Sequence, residues 1–208
     1  MTDFSFPEKP NYNFTKEQTL ERKKILKNKV EHLKFKDLKN TNELIEAYSK
    51  SSFQARKIGE GAKLYKKELN RGTTIIWSLA GSIFSAGLRE LVIDSVRKNL
   101  VDCLVCTGAL FEQDMLEALG YNHYVQTEEI EDKTLQNLLI DRIYDHLLDE
   151  IELQHVDETY KKIAKQMDSG NYSSREFMEY CGKWLSNVKD ANDSVILAAY
   201  EMNVPIFI

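Results

Sequence analysis

The chain has 208 residues, 42% apolar and 29% charged, with a formal charge of −5. These values are ordinary for a globular protein and give no electrostatic reason to expect nucleic acid or an anionic membrane. The opening MTDFSFPEKPNYNF lacks a basic segment followed by an apolar one, and the most apolar run, Thr73 to Leu88, is short and interrupted by Gly81 and Gly87. A soluble, cytoplasmic protein is therefore expected.

The first dozen residues read as extended or mobile. From Thr15 the pattern is helical, with Thr15 as the cap and the basic run ERKKILKNK as a solvated helix face. Asn40-Thr41-Asn42 marks a break, after which Leu44, Ile45, Tyr48, Phe53, Ile58, Ala62 and Tyr65 predict one long helix over 43–69. Asn70-Arg71-Gly72 ends it with a left-handed cap.

Beyond residue 70 the texture changes. Thr73 to Ala80 is a β-branched run bounded by glycines, hence a buried strand, followed by a helix over 83–99. Val101 to Cys106 is a second buried strand, and a helix over 110–119 ends at Gly120. Residues 133–167 read as helical throughout. Ser173-Ser-Arg-Glu176 is a capping box opening a helix to about Val188, residues 193–202 are helical, and Val204 to Ile208 begins a further strand. Alternating strands and helices predict an α/β fold, a Rossmann-like, doubly wound parallel sheet with helices on both faces. The expected division is an N-terminal helical extension, 1–70, and the first part of an α/β domain, 71–208.

Cys103 and Cys106 form a C-x-x-C inside the apolar VDCLVCTG, and Cys181 sits at a helix core position. With no second cysteine pair and no helix opening at the motif, core packing is the reading, with no metal site. The four histidines lack metal-ligand spacing; His123, just past a helix end, faces either a site or a hydrogen-bond partner. Trp77 and Trp184 read as core aromatics.

Ligands of open α/β sheets bind at the carboxyl ends of the strands, where loops enter helices. Two such junctions are visible, Ser78-Leu-Ala-Gly-Ser-Ile-Phe-Ser-Ala-Gly87 and Cys106-Thr-Gly-Ala-Leu-Phe-Glu112, both rich in small and hydroxyl residues. Small side chains admit a ligand to the backbone, and helix N-termini favour phosphate. Neither is a G-x-G-x-x-G or a P-loop, so by themselves they leave nucleotide binding and simple packing both open. Glu112 alone reads rather as a helix-start acid complementing the dipole.

Taken in order, five segments resemble the deoxyhypusine synthase family, in an archaeal- or bacterial-like variant. They are Ser52-Phe-Gln-Ala-Arg-Lys-Ile-Gly59, Ala80-Gly-Ser-Ile-Phe-Ser-Ala-Gly-Leu-Arg-Glu90, Val101-Asp-Cys-Leu-Val-Cys-Thr-Gly-Ala109, Asp141-Arg-Ile-Tyr144 and Ala198-Ala-Tyr-Glu-Met-Asn-Val-Pro-Ile-Phe207. The resemblance implies an NAD-dependent transferase, usually a homotetramer, that moves the aminobutyl group of spermidine through an enzyme lysine to a lysine of the translation factor 5A precursor. It places Gly81, Ser82, Ser85, Thr107, Gly108, Ala109 and Glu112 at the NAD. Two departures stand out: Ala80-Gly81-Ser82 replaces a T-S-N, and Glu112-Gln113 replaces two adjacent acids. A homospermidine-synthase-like transferase, a catalytically dead regulatory paralogue and a plain nucleotide-binding module remain alternatives.

The family's acceptor lysine lies in a W-G-K of the second half, which is not found here; Cys181-Gly-Lys-Trp184 sits in an amphipathic helix. No catalytic residue is therefore expected in this chain. The apolar Val204 to Ile208 reads as an unfinished strand, so the expectation is a truncated or cleaved polypeptide, or half of a split enzyme whose partner is a complementing C-terminal half.

Overall fold

The computed structural model describes residues 9, 10 and 12–208, so most of the segment expected to be extended or mobile lies outside the described residues. The chain forms two compact units, Met1–Asn70 and Arg71–Ile208.

In the first unit, α1 (Lys16–Ile25) opens with a capping box in which Thr15 Oγ1 accepts from Gln18 N and Gln18 Oε1 accepts from Thr15 N. The single helix expected over 43–69 is instead two, α2 (Thr41–Tyr48), capped by Asn40, and α3 (Phe53–Arg71). The break falls on Ser49-Lys50-Ser51-Ser52. Ser49 Oγ donates to Glu46 O (2.7 Å) and Ser51 Oγ to Tyr48 O (2.8 Å), so hydroxyls take carbonyls that a continuing helix would use. Phe53 then adopts a left-handed φ of 56° and the chain doubles back. Gly59 makes the return possible, because a Cβ there would stand 2.4 Å from Ser49 N. Gly72, with φ 68°, terminates α3 as its cap sequence predicts.

The second unit is a mixed α/β fold, Rossmann-like, built on a parallel three-stranded sheet. Strands β1 (Ile76–Leu79), β2 (Cys103–Cys106) and β6 (Ile206–Phe207) lie in the order β1-β2-β6. The register pairs Leu79 with Cys106 and Val105 with Phe207. The link from β1 to β2 is a π-helical turn (Phe84–Leu88) and α4 (Arg89–Arg97); Gly87, with φ 87°, kinks the helix expected over 83–99. After β2 come α5 (Gly108–Ala118), α7 (Glu150–Lys165), α8 (Ser174–Leu185) and α9 (Val195–Glu201).

Strand alternation sorts the sheet's two sides. Leu104, Cys106 and Ile206 enter one core with Val96 of α4, Leu110 and Leu116 of α5, Ile163 of α7, Leu185 of α8 and Ile196 of α9. Each fully buried aliphatic side chain of this set contributes about 1.5–3 kcal/mol. Trp77 packs against that core from β1, and Trp184 from α8. On the other side Ile76, Val105 and Phe207 remain 60%, 40% and 39% exposed. Cys103 and Cys106, three residues apart on one strand, point to opposite sides and cannot pair with each other. Burial pushes the Cys106 and Cys181 thiols up to about 12, which keeps them protonated and inert.

Residues 133–167 depart from the expected continuous helix. They form α6 (Asp132–Asn137), an antiparallel hairpin β4 (Ile140–Ile143) and β5 (His146–Asp149), and then α7; β3 (Tyr124–Val125) completes a sheet of order β3-β5-β4. Left-handed residues at Leu139 (φ 54°) and Tyr144 (φ 57°) turn the chain at both ends of β4. Strands of four residues lie below the length at which a period of 2 separates from 3.6, so cross-strand pairing decided the outcome. Asp149 caps α7 through Ile151 N (2.8 Å) and Glu152 N (3.3 Å).

Candidate functional site

Because β1 and β2 are parallel and Leu79 stands beside Cys106, the segments leaving them emerge side by side at the sheet's carboxyl edge. Gly81, Ser82 and Ser85 follow β1, and Thr107, Gly108, Ala109 and Glu112 follow β2. The two segments thus leave the same edge, and of the seven residues singled out in the sequence Gly108 and Glu112 line the cleft there, while Gly81, Ser82, Ser85, Thr107 and Ala109 do not. Ile208 joins them from β6: a Cβ on Gly108 would lie 3.8 Å from its Cγ2.

The first segment is tightly ordered. Phe84 is buried, Ser85 Oγ donates to Ser82 O (3.0 Å) and Ala86 N to Ser82 O (3.0 Å). Gly81 has φ 81°, and a Cβ there would meet nothing within 4 Å, so its backbone faces open space. In the second segment Thr107 sits at the N-cap of α5 in extended conformation, yet its side chain makes no cap hydrogen bond. Leu110 N donates to Thr107 O (3.1 Å), so the donors that the start of α5 can present toward the edge are the Gly108 and Ala109 amides ahead of it.

Glu112, Gly108, Phe111, Tyr160, Phe177, Met178 and Ile208 line a cleft of about 270 Å³. Burial, and then the charge of Asp157, raise the Glu112 carboxyl above its usual range. Glu112 is the fifth residue of α5, one turn past the dipole's positive end, so the cleft accounts for its position better than a helix-start role does. Tyr160 donates from its hydroxyl to Phe111 O (2.9 Å) and stands 6.1 Å from the Phe177 ring.

A charged hub behind the cleft escaped the sequence reading. Asp114 is fully buried and accepts from Arg89 Nε (2.8 Å), Val195 N (2.9 Å) and Ile196 N (3.0 Å). Arg89 also pairs with Glu90 (2.9 Å) and Glu117 (3.2 Å) and donates to Asp193 O. Arg89 and Asp114 are 25 residues apart, so only tertiary structure joins them. His123 belongs to this network through Glu117 (Nδ1 to Oε1, 2.9 Å) and does not line the cleft. His155 meets the Tyr121 hydroxyl at 2.7 Å. Among the described residues no cluster of three or more His, Cys, Asp or Glu could hold a metal ion.

The donor set fits a dinucleotide in part: uncapped helix amides and open glycine backbone suit phosphate, and a carboxylate suits ribose hydroxyls. The cleft is smaller than the ~300–1,000 Å³ usual for such ligands, so it accommodates one portion only.

The deoxyhypusine synthase family model matches residues 43–208. The chain belongs to the deoxyhypusine synthase family. It is 38% identical over 182 residues to a deoxyhypusine synthase-like protein of Elusimicrobium minutum, covering 86% of this chain and 48% of that protein. It is 38% identical over 189 residues to a deoxyhypusine synthase-like protein of Coxiella burnetii, covering 89% and 53%. A protein of Methanosarcina acetivorans named probable deoxyhypusine synthase 2 is 37% identical over 175 residues, covering 83% and 51%. The chain thus spans about half the length of the curated relatives it matches. A crystal structure assigned to an Entamoeba histolytica deoxyhypusine synthase superposes with a TM-score of 0.56 at 20% identity, over 86% of this chain and 61% of that one, and supports the fold. No helix among the described residues is long and apolar enough to cross a membrane.

Proposed function

We propose that this chain forms the NAD-binding N-terminal part of a cytoplasmic transferase that moves the aminobutyl group of spermidine to a lysine of the translation factor 5A precursor. The observation that carries the reading is the meeting of the two family segments, Gly81 to Ser85 and Thr107 to Glu112, at one sheet edge in a chain that matches the family from residue 43 onward. In this reading the α5 amides and the Gly81 backbone hold phosphate, while Glu112 accepts hydrogen bonds from ribose hydroxyls. Bound there, NAD would supply hydride-transfer chemistry at the carbon beside an amine nitrogen. The apolar, aromatic wall of Phe111, Tyr160 and Phe177 keeps water from that end of the cleft.

The lysine that traps the aminobutyl group belongs, on this proposal, to the half of the family polypeptide beyond the matched region. Gly81 and Gln113, where the family resemblance expects a hydroxyl and a second acid, favour a second reading in which the acceptor is another amine, as in a homospermidine-forming transferase.

Calorimetric titration of the purified chain with NAD tests the cofactor reading. Binding should weaken as pH falls through the raised Glu112 pKa, and Glu112→Gln should remove that pH dependence. A chain that shows no NAD binding at any pH sinks the cofactor assignment. Intact-mass analysis with labelled spermidine tests the division of labour: label transfer by the 208-residue species alone disproves an external lysine.

A further inference from the structure

The formal charge of −5 is the sum of two opposed units. Residues 1–70, the first unit, carry 16 lysines and arginines against 10 aspartates and glutamates, whereas residues 71–208 carry 12 against 23. An excess of cations gathered on one unit is the electrostatic footprint of a polyanionic partner, which the whole-chain charge conceals.

The excess borders a groove of about 780 Å³ within the first unit. Lys27, Asn28 and Lys29, from the segment after α1, line one part of it, and Lys50, Ser52 and Arg56, from the break before α3 and its start, line another. Glu31 and Glu60 also face the groove, but each is engaged by a cation, Lys50–Glu31 at 3.3 Å and Arg56–Glu60 at 3.6 Å. Lys27 and Lys29 form no ion pair among the described residues. Ammonium, guanidinium, hydroxyl and amide donors together are the set that holds the phosphate oxygens of a nucleic-acid backbone. Phe53 follows Ser52 in the chain and is 85% exposed. An exposed ring offers a base a face to stack on, a contact that a purely acidic protein surface would not use. A bilayer fits less well: Leu20 and Ile25 of α1 stand about 140° apart round the helix, so the segment bearing the basic run has no apolar face to insert.

We propose that the N-terminal unit binds single-stranded nucleic acid, with phosphates in the groove between residues 27–29 and 50–56 and a base stacked on Phe53. The contact tolerates any sequence, because the groove addresses phosphate and every base has a π-face. The acidic α/β unit repels the same strand, so binding rests on the first unit alone. This assignment is independent of the NAD reading.

Fluorescence anisotropy of a labelled oligouridylate of about 12 nucleotides, titrated with the 208-residue chain, tests it. Affinity should fall with salt at a log–log slope of about −2, as for about three neutralised phosphates. Replacing both free lysines, Lys27→Glu with Lys29→Glu, should lower affinity about tenfold and shrink the slope to about −1. Phe53→Leu keeps the apolar character without the ring, and should lower affinity about tenfold with the slope unchanged. Circular dichroism confirms that each variant is folded. Wild-type affinity in the double lysine variant overturns the groove, and wild-type affinity in Phe53→Leu overturns the stacking. Equal affinity for a duplex of the same length overturns the single-strand assignment. Equal affinity for polyglutamate, or binding to phosphatidylserine vesicles with none to oligouridylate, assigns the basic unit to another kind of partner and overturns the proposal. An absence of oligouridylate binding even at low salt overturns it outright.

Discussion

Residues 9–70 and 71–208 are held together by different forces. In the N-terminal unit Gly59 is the one buried position among the described residues, whereas every buried apolar side chain among them lies in the α/β unit. The first region is built from helix caps at Thr15 and Asn40 and from exposed ion pairs such as Lys63–Glu46 (3.0 Å) and Lys50–Glu31 (3.3 Å). Exposed pairs of this kind contribute about 0–1 kcal/mol each and fade with salt. The second region depends on contacts between segments far apart in sequence, above all the core beneath β2 and the Asp114 hub. Caps and amphipathic faces can thus specify helices without a core, but a site that gathers three strand ends needs one.

That contrast can be broken most severely at Asp114. Asp114→Ala strands the buried Arg89 guanidinium and unpairs two α9 amides, so urea unfolding of the α/β unit should show a loss of about 3–5 kcal/mol. A loss below about 1 kcal/mol would mean the hub is wetter than its burial indicates. Leu116→Ala, at a fully buried position, should cost about 2–5 kcal/mol, while Leu64→Ala, at a 58% exposed position of α3, should stay within about 0.5 kcal/mol. Equal effects from the two substitutions would erase the distinction between the regions.

Gly59→Ala sharpens the comparison from the other side. Its Cβ would strike Ser49 backbone, so α2 and α3 must part, at a cost of about 1–3 kcal/mol confined to the first unit. Amide exchange should rise across residues 45–63 with little change beyond residue 71. The smallest expected effect is a pH dependence. Burial, followed by the charge of His123, lowers the His146 pKa below its usual 6.5. The unfolded chain then takes up the proton first, so His146 leaves stability unaffected above about pH 6.5 and reduces it as pH falls through 6.5 toward the folded value. His146→Gln should flatten this part of the stability–pH curve, and an unaltered curve would remove His146 as the cause.

Much of the α/β frame was legible in the sequence because its signals are local. Runs such as Ile75-Ile76-Trp77 and Leu104-Val105-Cys106 announce strands, the Ser173–Glu176 box opens α8 as its letters predict, and Gly72 and Gly120 mark helix ends. The family and the two small-residue junctions were readable for the same reason. The β4–β5 hairpin was not, since Ile140-Asp-Arg-Ile143 and His146-Leu-Leu-Asp149 satisfy helix and strand spacing alike, and only the pairing of β5 with β4 and β3 separates them. The break at Ser49–Ser52 was missed because apolar spacing carries across it, while the hydroxyl-to-carbonyl bonds that stop α2 leave no periodic trace.

By itself, then, the sequence determined the helices and strands whose signals are local, where the strand ends carry small residues, and which family the chain resembles. The tertiary structure alone decided that Leu79 lies beside Cys106, that Gln113 reaches Ser85, and that Asp114 ties Arg89 to α9. The physical reason is range. Propensity, capping and turn preferences act over three or four residues, whereas the parallel register and buried charge pairing act between residues 25 to 102 apart, and emerge only when the core closes.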